Sequence, residues 1–259
     1  MTTTHTTDRG TRKFASRLLM TSYGLIAYAL FLLVFLYAIG WVERLVVPRT
    51  IDEGSRTPAG IAVFVNLALL SLFAVQHSVM ARPWFKKRWT RIVPAAIERS
   101  TYVLLATAAL ALVMWQWRPL PQQIWDVQAP ALRVALYAVS LAGFGLVLTS
   151  TYAIDHFDLF GLRQVFRNLR GQRPPETAFR TPWLYRIVRH PLYLGFVVAF
   201  WVTPTMTVGH LLFAAVTTAY IVVAVQFEEH DLIATFGDRY RSYRARVPML
   251  VPGLPVSRR

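Results

Sequence analysis

The chain has 259 residues, of which 55% are hydrophobic, and its formal net charge is +15 at pH 7. A soluble domain of this length needs no uncharged runs of about twenty residues, whereas a protein with several membrane spans requires them. The basic excess is typical of loops beside anionic lipid, so we expect membrane lipid, and no nucleic acid, as a partner. The absence of cysteine excludes disulfides, thiolate metal ligands and cysteine nucleophiles.

Residues 1–19 are rich in threonine and carry four basic side chains, and we expect them to form a flexible tail. The apolar run behind them is too long for a signal peptide and has no small-residue cleavage site. We therefore interpret that run as a retained first span.

Four uncharged segments follow in chain order, each about 18–23 residues long, which is enough to cross the hydrocarbon core as a helix. They are Met20–Val42, Ala59–Met80, Ser100–Trp117 and Val134–Ile154. No repeat and no second domain is visible, so we predict a single domain over residues 1–259.

A fifth apolar stretch, Pro191–Phe227, is too long for one helix and contains the string Thr203-Pro204-Thr205. We expect it to fold back as two antiparallel helices. The first arm, Leu192–Val202, is short for a full span unless its helix begins earlier, near Pro182. The predicted fold is all-α: a polytopic membrane protein with four transmembrane helices plus a C-terminal helical hairpin, giving five or six spans.

The distribution of Lys and Arg predicts the orientation. With the N-terminus inside, 23 of the 28 basic residues lie in cytoplasmic segments, which are 1–19, 81–99, 155–189 and 228–259. Only five lie in the two outer loops. Because cytoplasmic loops are enriched in Lys and Arg, we predict that both termini are cytoplasmic.

Ionisable groups inside or at the edge of a membrane are costly and are therefore functional candidates. Under this topology they fall on the cytoplasmic side, and they are His77, Asp155, His156, Asp158, His190, Glu228 and Glu229. Structural roles remain open for each group. Gln76 and His77 could be a polar pair that joins helices. The other structural alternatives are ion pairs of Asp155 and Asp158 with Arg163 or Arg167, neutralisation of nearby arginines by Glu228 and Glu229, and an interfacial anchor at Arg189-His190-Pro191.

Several chemistries lack their motifs. No His-x-x-x-His or His-x-x-Glu pair occurs on one helical face, so we expect no metal. There is no Gly-x-Gly-x-x-Gly loop and no Gly-x-Ser-x-Gly elbow. What remains is a pocket with carboxylates, imidazole, arginine and tyrosines. Those groups suit a ligand that combines an amino group, a ribose, a carboxylate and a cationic centre, as S-adenosylmethionine does.

The C-terminal third carries the most specific pattern. It reads Arg189-His190-Pro191-x-Tyr193-x-Gly195, an apolar hairpin, and Glu228-Glu229-x-x-Leu232-x-x-x-Phe236-Gly237-x-x-Tyr240-x-x-Tyr243-x-x-x-Val247-Pro248. This string resembles the signature of the membrane superfamily that includes isoprenylcysteine carboxyl methyltransferases and phospholipid methyltransferases. The segments Gln76–Arg82 and Asp155–Gln164 are similar to those of the bacterial methanethiol S-methyltransferases, which make dimethyl sulfide. The resemblance covers roughly residues 60–250.

The resemblance implies an S-adenosylmethionine-dependent methyltransferase of a bacterial inner membrane, with its active site facing the cytoplasm and a small volatile thiol as substrate. Residues 182–250 would form the cofactor-binding hairpin and C-terminal segment. The positions that match cofactor-binding residues are Arg189, His190, Tyr193, Glu228, Glu229 and Tyr240.

Because the thiolate is the reactive form of a thiol, the enzyme must remove one proton, and the candidate bases are Asp155, His156 and His77. A prenylcysteine carboxylate or a lipid amine as acceptor, and a non-enzymatic small-solute membrane protein of the same fold, are the alternatives. The sequence makes no prediction of oligomeric state.

Overall fold

The structure is a computed structural model that describes residues 4–173 and 179–253. Helices make up most of the described chain, and two short strands pair with each other. The elements in chain order are α1 (Thr4–Glu43), α2 (Ala59–Ala81), α3 (Pro83–Trp89), α4 (Glu98–Gln116), β1 (Gln123–Asp126), α5 (Pro130–Ile154), α6 (His156–Leu159), α7 (Leu162–Leu169), a 3₁₀ turn (Trp183–Arg186), α8 (Pro191–Trp201), β2 (Thr205–Thr207), α9 (Val208–Phe236) and α10 (Asp238–Arg244).

Among the described residues, four helices are long and apolar enough to cross a membrane, and this confirms the predicted class of a helical, polytopic membrane protein. They are Arg12–Glu43 within α1, Ala59–Ala81, Pro130–Ile154 and Val208–Phe236. The predicted third span is the 19-residue helix α4, which is not one of these four and has the charged residues Glu98 and Arg99 in its first turn.

Helix α1 is longer than its apolar core. It begins at Thr4, so residues 4–19, for which the sequence suggested a flexible tail, lie within the helix. The first proline of the chain is Pro48, and hence no proline interrupts the helix before its end at Glu43.

The described residues cluster into two compact units, each built from three separate parts of the sequence. Unit 1 takes the described parts of Met1–Leu36, Val75–Leu112 and Asp155–Thr177, and so includes α3, α6 and α7. Unit 2 takes those of Tyr37–Ala74, Val113–Ile154 and Ala178–Arg259, and so includes α5, α8, α9, α10 and both strands.

In unit 2, the predicted hairpin is present as α8 and α9. The string Thr203-Pro204-Thr205 makes the turn, and Thr207 caps α9 by accepting the backbone N–H of His210 at 3.1 Å. The buried imidazole of His210 donates from Nε2 to the carbonyl of Phe200 at 2.9 Å, which ties the start of α9 to the end of α8.

Three connections of unit 2 meet at the hairpin turn. Strand β2 in this turn pairs antiparallel with β1, which lies between α4 and α5, with Asp126 opposite Thr205. From the connection between α1 and α2, Arg44 donates to the carbonyl of Thr205 at 2.8 Å and Asp52 accepts from Thr207 at 2.6 Å. These three connections therefore share one end of unit 2.

Helices α5 and α8 pack with their backbones almost in contact. A Cβ added to Gly143 would lie 2.7 Å from the carbonyl oxygen of Gly195, and one added to Gly195 would lie 2.6 Å from that of Gly143. One turn away, the buried Ser140 hydroxyl lies 2.8 Å from the carbonyl of Ala199 and 2.5 Å from Oε1 of Glu43. The close approach fixes the position of α8 and hence of the residues at its N-terminus.

In unit 1, a cluster rich in aromatic side chains joins α1, α2, α4 and the segment that holds α6. The buried residues Met80, Tyr102 and Val103 form its centre. Phe31 and Phe160 pack against that centre and stack on each other with ring centroids 4.1 Å apart. Gly161, at φ +88°, follows this segment, and a Cβ there would lie 2.7 Å from the backbone nitrogen of Ser100.

Candidate functional site

The Arg189-His190 pair lies where the chain enters α8. Pro191 occupies the first position of that helix, where its missing N–H is no loss. The two preceding backbone N–H groups bond to the C-terminal segment: that of Arg189 to the carbonyl of Pro248 at 2.9 Å, and that of His190 to the carbonyl of Met249 at 3.1 Å. The motif and residues 248–249 are thus held together by the backbone.

Glu229 is the centre of a buried ionic cluster. Its side chain is 3% exposed, and Oε1 accepts from Arg189 Nε at 2.6 Å and from His190 Nε2 at 3.2 Å. The second oxygen lies 3.2 Å from Arg244 Nε. Both oxygens of Glu229 therefore already have protein partners, so this carboxylate organises the cluster.

Arg189 also has all its described contacts with protein groups and organises the cluster. It is buried, and besides Glu229 its guanidinium donates from Nη1 to the carbonyls of Arg244 at 3.1 Å and Val247 at 2.5 Å. These contacts join the residues before α8 to α9, to the end of α10 and to the segment after it. The Arg189 side chain therefore links the segments that surround the candidate site.

Glu228 differs from its neighbour in exposure. Its side chain is 42% exposed, and Oε2 accepts from the Tyr193 hydroxyl at 3.0 Å and lies 3.9 Å from His190 Nδ1. Glu228 therefore presents an accessible carboxylate next to an imidazole and a phenol, which are groups that bind amino or hydroxyl groups of a ligand.

Tyr240 supplies a buried hydroxyl. The residue is 2% exposed, with its ring edge-on to Phe179 and Tyr243. Its hydroxyl has no hydrogen-bond partner among the residues that the structure describes. Burial, with a further contribution from the charge of Glu229, raises the pKa of Tyr240, so the hydroxyl keeps its proton. A protonated buried hydroxyl without a partner is a donor that a polar ligand could satisfy.

Tyr243 has a structural role. Its hydroxyl donates to the carbonyl of Tyr185 at 2.5 Å, and burial raises its pKa to about 12.

Asp155 organises the segment that carries His156 in unit 1. It is the N-cap of α6, with Oδ1 accepting the backbone N–H of Asp158 at 3.1 Å. Oδ2 pairs with Arg163 at 2.7 Å, and Asp158 pairs with Arg167 at 3.3 Å. The ion pairs left open by the sequence are therefore formed, and both Asp155 oxygens are engaged.

His156 is 3% exposed, and its Nε2 lies 2.7 Å from the hydroxyl of Tyr28 on α1. The two rings meet edge to face with centroids 5.7 Å apart. Burial lowers the pKa of His156, and the nearby charge of Asp155 opposes that shift in part. The imidazole is therefore neutral near pH 7 and able to accept a proton.

His77 has a corresponding partner. Its Nε2 lies 2.9 Å from the hydroxyl of Tyr102 on α4, so His77 joins two helices. Gln76 donates to the sulfur of Met80 one turn later on the same helix, at 3.1 Å. The helix-joining role that the sequence left open thus belongs to His77 with Tyr102.

The structure divides the residues singled out in the sequence between the units. The six expected cofactor residues lie in unit 2. Five of them contact one another in a single cluster, and the sixth, Tyr240, lies outside those contacts. The three candidate bases lie in unit 1. Sequence reasoning missed Tyr28 and Tyr102, because a tyrosine in an apolar span carries no signal of its own. Arg244 was counted there only among the basic residues of segment 228–259.

Comparison with known proteins is informative over most of the chain. The model of the family "NnrU protein" matches residues 65–249. A protein of Mycobacterium tuberculosis named methanethiol S-methyltransferase is 60% identical, over 91% of this chain and 97% of its own length. Methanethiol S-methyltransferase 1 of Bradyrhizobium diazoefficiens is 59% identical, over 89% of this chain and 81% of its own length.

Similarity extends to an animal protein named Nurim. The Bos taurus protein is 33% identical, over 64% of this chain and 66% of its own length. No solved structure matches the chain.

Proposed function

The chain belongs to the NnrU protein family, and we propose that it is an integral membrane methyltransferase that transfers a methyl group from S-adenosylmethionine to the sulfur of methanethiol, giving dimethyl sulfide. The observation that carries this proposal is the high identity, over most of both chains, to relatives named methanethiol S-methyltransferase. We further propose a bacterial inner membrane as the location and a site that faces the cytoplasm, on the distribution of basic residues.

Four groups of unit 2 would hold S-adenosylmethionine. The accessible carboxylate of Glu228 and the Tyr193 hydroxyl beside it suit amino or ribose hydroxyl groups, and the Tyr240 hydroxyl offers an unused donor. His190 is fixed between Glu229 and Glu228. When bound, the cofactor supplies a methyl group on a positively charged sulfur. These polar groups fit such a ligand. The buried pair of Glu229 and Arg189 would hold them in place.

In the reaction, a carbon–sulfur bond forms at methanethiol, a carbon–sulfur bond of the sulfonium breaks, and the thiol proton is lost. The protein must hold the sulfur in line and accept the proton, because the thiolate is the nucleophile. His156 suits proton acceptance, since burial keeps it neutral, and the Asp155 carboxylate next to it stabilises the charged form that results. Asp155 is a weaker candidate, because its oxygens already serve as helix cap and ion-pair partner. His77 stays a second candidate base.

The test is gas chromatography of the headspace above the purified, detergent-solubilised protein given methanethiol and S-adenosylmethionine with an isotopically labelled methyl group. We expect labelled dimethyl sulfide in proportion to protein and time. Parallel reactions with a prenylcysteine and with a lipid amine measure the alternative acceptors. Methylation of either of these without dimethyl sulfide would refute methanethiol as the substrate, and no product from any acceptor would refute the proposed activity.

A further inference from the structure

We propose that Tyr28 relays the thiol proton to His156, as a catalytic residue of unit 1 that the sequence did not reveal. This inference rests on the proposed function. The observation behind it is the 2.7 Å contact between the Tyr28 hydroxyl and His156 Nε2, made between α1 and α6.

We assign a direction to this hydrogen bond, whose donor depends on the tautomer of His156. A phenol is a stronger acid than the N–H of neutral imidazole, so Tyr28 donates and Nε2 accepts. Neutral His156 then carries its hydrogen on Nδ1, while the lone pair of Nε2 points at the Tyr28 hydroxyl. A thiol proton then reaches Nε2 through that hydroxyl.

The proposed step balances without another reactant. The Tyr28 oxygen accepts the proton of the thiol while its own hydrogen passes to His156 Nε2. The S–H and O–H bonds break, new O–H and N–H bonds form, and the products are a thiolate, a neutral tyrosine and an imidazolium. The imidazolium returns its proton to water after methyl transfer.

The surroundings of Tyr28 suit a small apolar thiol. Tyr28 itself is only half-buried. Its ring centroid lies 6.0 Å from that of Phe160 and 6.3 Å from that of Phe31. Sulfur makes favourable contacts with aromatic rings, so these phenylalanine rings suit a small methylthiol. The hydroxyl is thus the polar group at the edge of an aromatic cluster.

The charges around His156 favour its protonated form once the proton has arrived. Asp155 acts on it directly. The other charged groups near this segment are already engaged by protein partners: Arg163 with Asp155, Arg167 with Asp158, and Arg99 of α4 with the carbonyl of Leu159 at 2.8 Å. The Asp155 charge therefore offsets part of the cost of burying a protonated His156.

The first test is turnover of Tyr28→Phe, which keeps the ring and removes only the hydroxyl. We expect a loss on the order of a hundredfold near neutral pH, because general-base catalysis typically contributes that much. The loss should shrink as pH rises and the thiol ionises unaided, and it should be small with trifluoroethanethiol, a more acidic thiol. S-adenosylmethionine affinity should stay unchanged.

The matched control is Tyr23→Phe on the same helix, whose hydroxyl bonds to Thr101 at 3.1 Å and, among the described side chains, to no histidine. We expect wild-type turnover at every pH. A loss in Tyr28→Phe that is uniform with pH would assign the hydroxyl to structure and overturn the relay. A pH-dependent loss in Tyr102→Phe, with none in Tyr28→Phe, would give the proton route to His77 and also overturn it.

A second readout needs neither turnover nor cofactor. Nitrogen-15 NMR of histidine in the wild-type protein should show His156 protonated at Nδ1, with Nε2 as the hydrogen-bonded acceptor. Protonation at Nε2 would contradict the relay even if Tyr28→Phe did not fold. If the wild type makes no dimethyl sulfide, the proposed function itself fails. If it does, but Tyr28→Phe behaves like the wild type, only the relay fails.

Discussion

At the scale of single residues, Glu228 and Glu229 show how neighbours in sequence take different roles. Consecutive residues of a helix point about 100° apart, so only one of the pair can face the interior of the cluster. Glu229 is 3% exposed and bound by Arg189, His190 and Arg244, whereas Glu228 is 42% exposed and bound by Tyr193. The first is a structural anion, and the second is the carboxylate that we propose as a ligand group.

We therefore predict that the two glutamine variants differ in what they lose. Glu229→Gln leaves Arg189 buried without its anion and should lower the free energy of unfolding by about 3–5 kcal/mol. Glu228→Gln should leave thermal stability nearly unchanged and raise the Kd for S-adenosylmethionine, by a loss of about 1–3 kcal/mol of binding free energy. Thermal unfolding in detergent and titration calorimetry measure the two effects. Equal behaviour of the variants in both measurements would contradict this division of roles.

The sequence predicted much of this cluster but not its internal order. Charged residues on both sides of an uncharged run predicted that Arg189, His190 and the glutamates meet. Which glutamate faces the interior depends on the position of Arg244 at the end of α10. That position is set by packing between residues that are distant in sequence. For the same reason the tyrosine partners of His77 and His156 carried no signal, because each comes from a different helix.

At the scale of elements, the contact between α5 and α8 positions the site. Gly143 and Gly195 allow the two backbones to touch, and α8 carries His190 and Tyr193 at its N-terminal end. Helix α8 has 11 residues and is about 16 Å long, which is half of a hydrocarbon core. It starts at Pro191 and not near Pro182, so the first arm of the hairpin is too short to cross the membrane.

Gly195→Ala should destabilise the protein by about 1–3 kcal/mol, because its Cβ would press on backbone atoms of α5 that cannot move aside. Gly145→Ala on α5 is the matched control, since nothing lies within 4 Å of its added Cβ. Alanine there should be neutral or stabilising by up to about 1 kcal/mol, from helix propensity. Thermal unfolding midpoints in detergent compare the two, and equal midpoints would rule out a tight contact.

The long apolar helices were predictable from hydropathy alone, because each apolar run is local in sequence. The strands were not. Strand β1 has four residues in a polar loop and pairs with β2 some 80 residues later, so no local pattern announces it.

At the scale of the whole molecule, the hairpin turn bears on the topology. The connections between α1 and α2, between α4 and α5, and between α8 and α9 meet within unit 2 through Arg44, Asp52 and the two strands. Because these connections contact one another, they share a side of the membrane. The first two of them hold only four of the 28 basic residues.

We predict that this shared end faces away from the cytoplasm and that both termini are cytoplasmic, because Lys and Arg are retained inside. A reporter enzyme that is active only outside the cytoplasm should be inactive when fused after residue 259 and active when inserted in the loop between α4 and α5. The reverse pattern would invert the topology and place the candidate site on the outer surface.

The backbone bonds from Arg189 and His190 to Pro248 and Met249 also have a consequence in time. Met249 is added to the growing chain 60 residues after Arg189. At about 5–20 residues per second, the ribosome takes roughly 3–12 s to cover that distance. During this interval α8 can already lie in the membrane while its entrance motif lacks its last partners. We therefore expect a newly inserted chain to complete the candidate ligand site only late in its synthesis. A protein that ends before Val247 should insert into the membrane but lack these contacts.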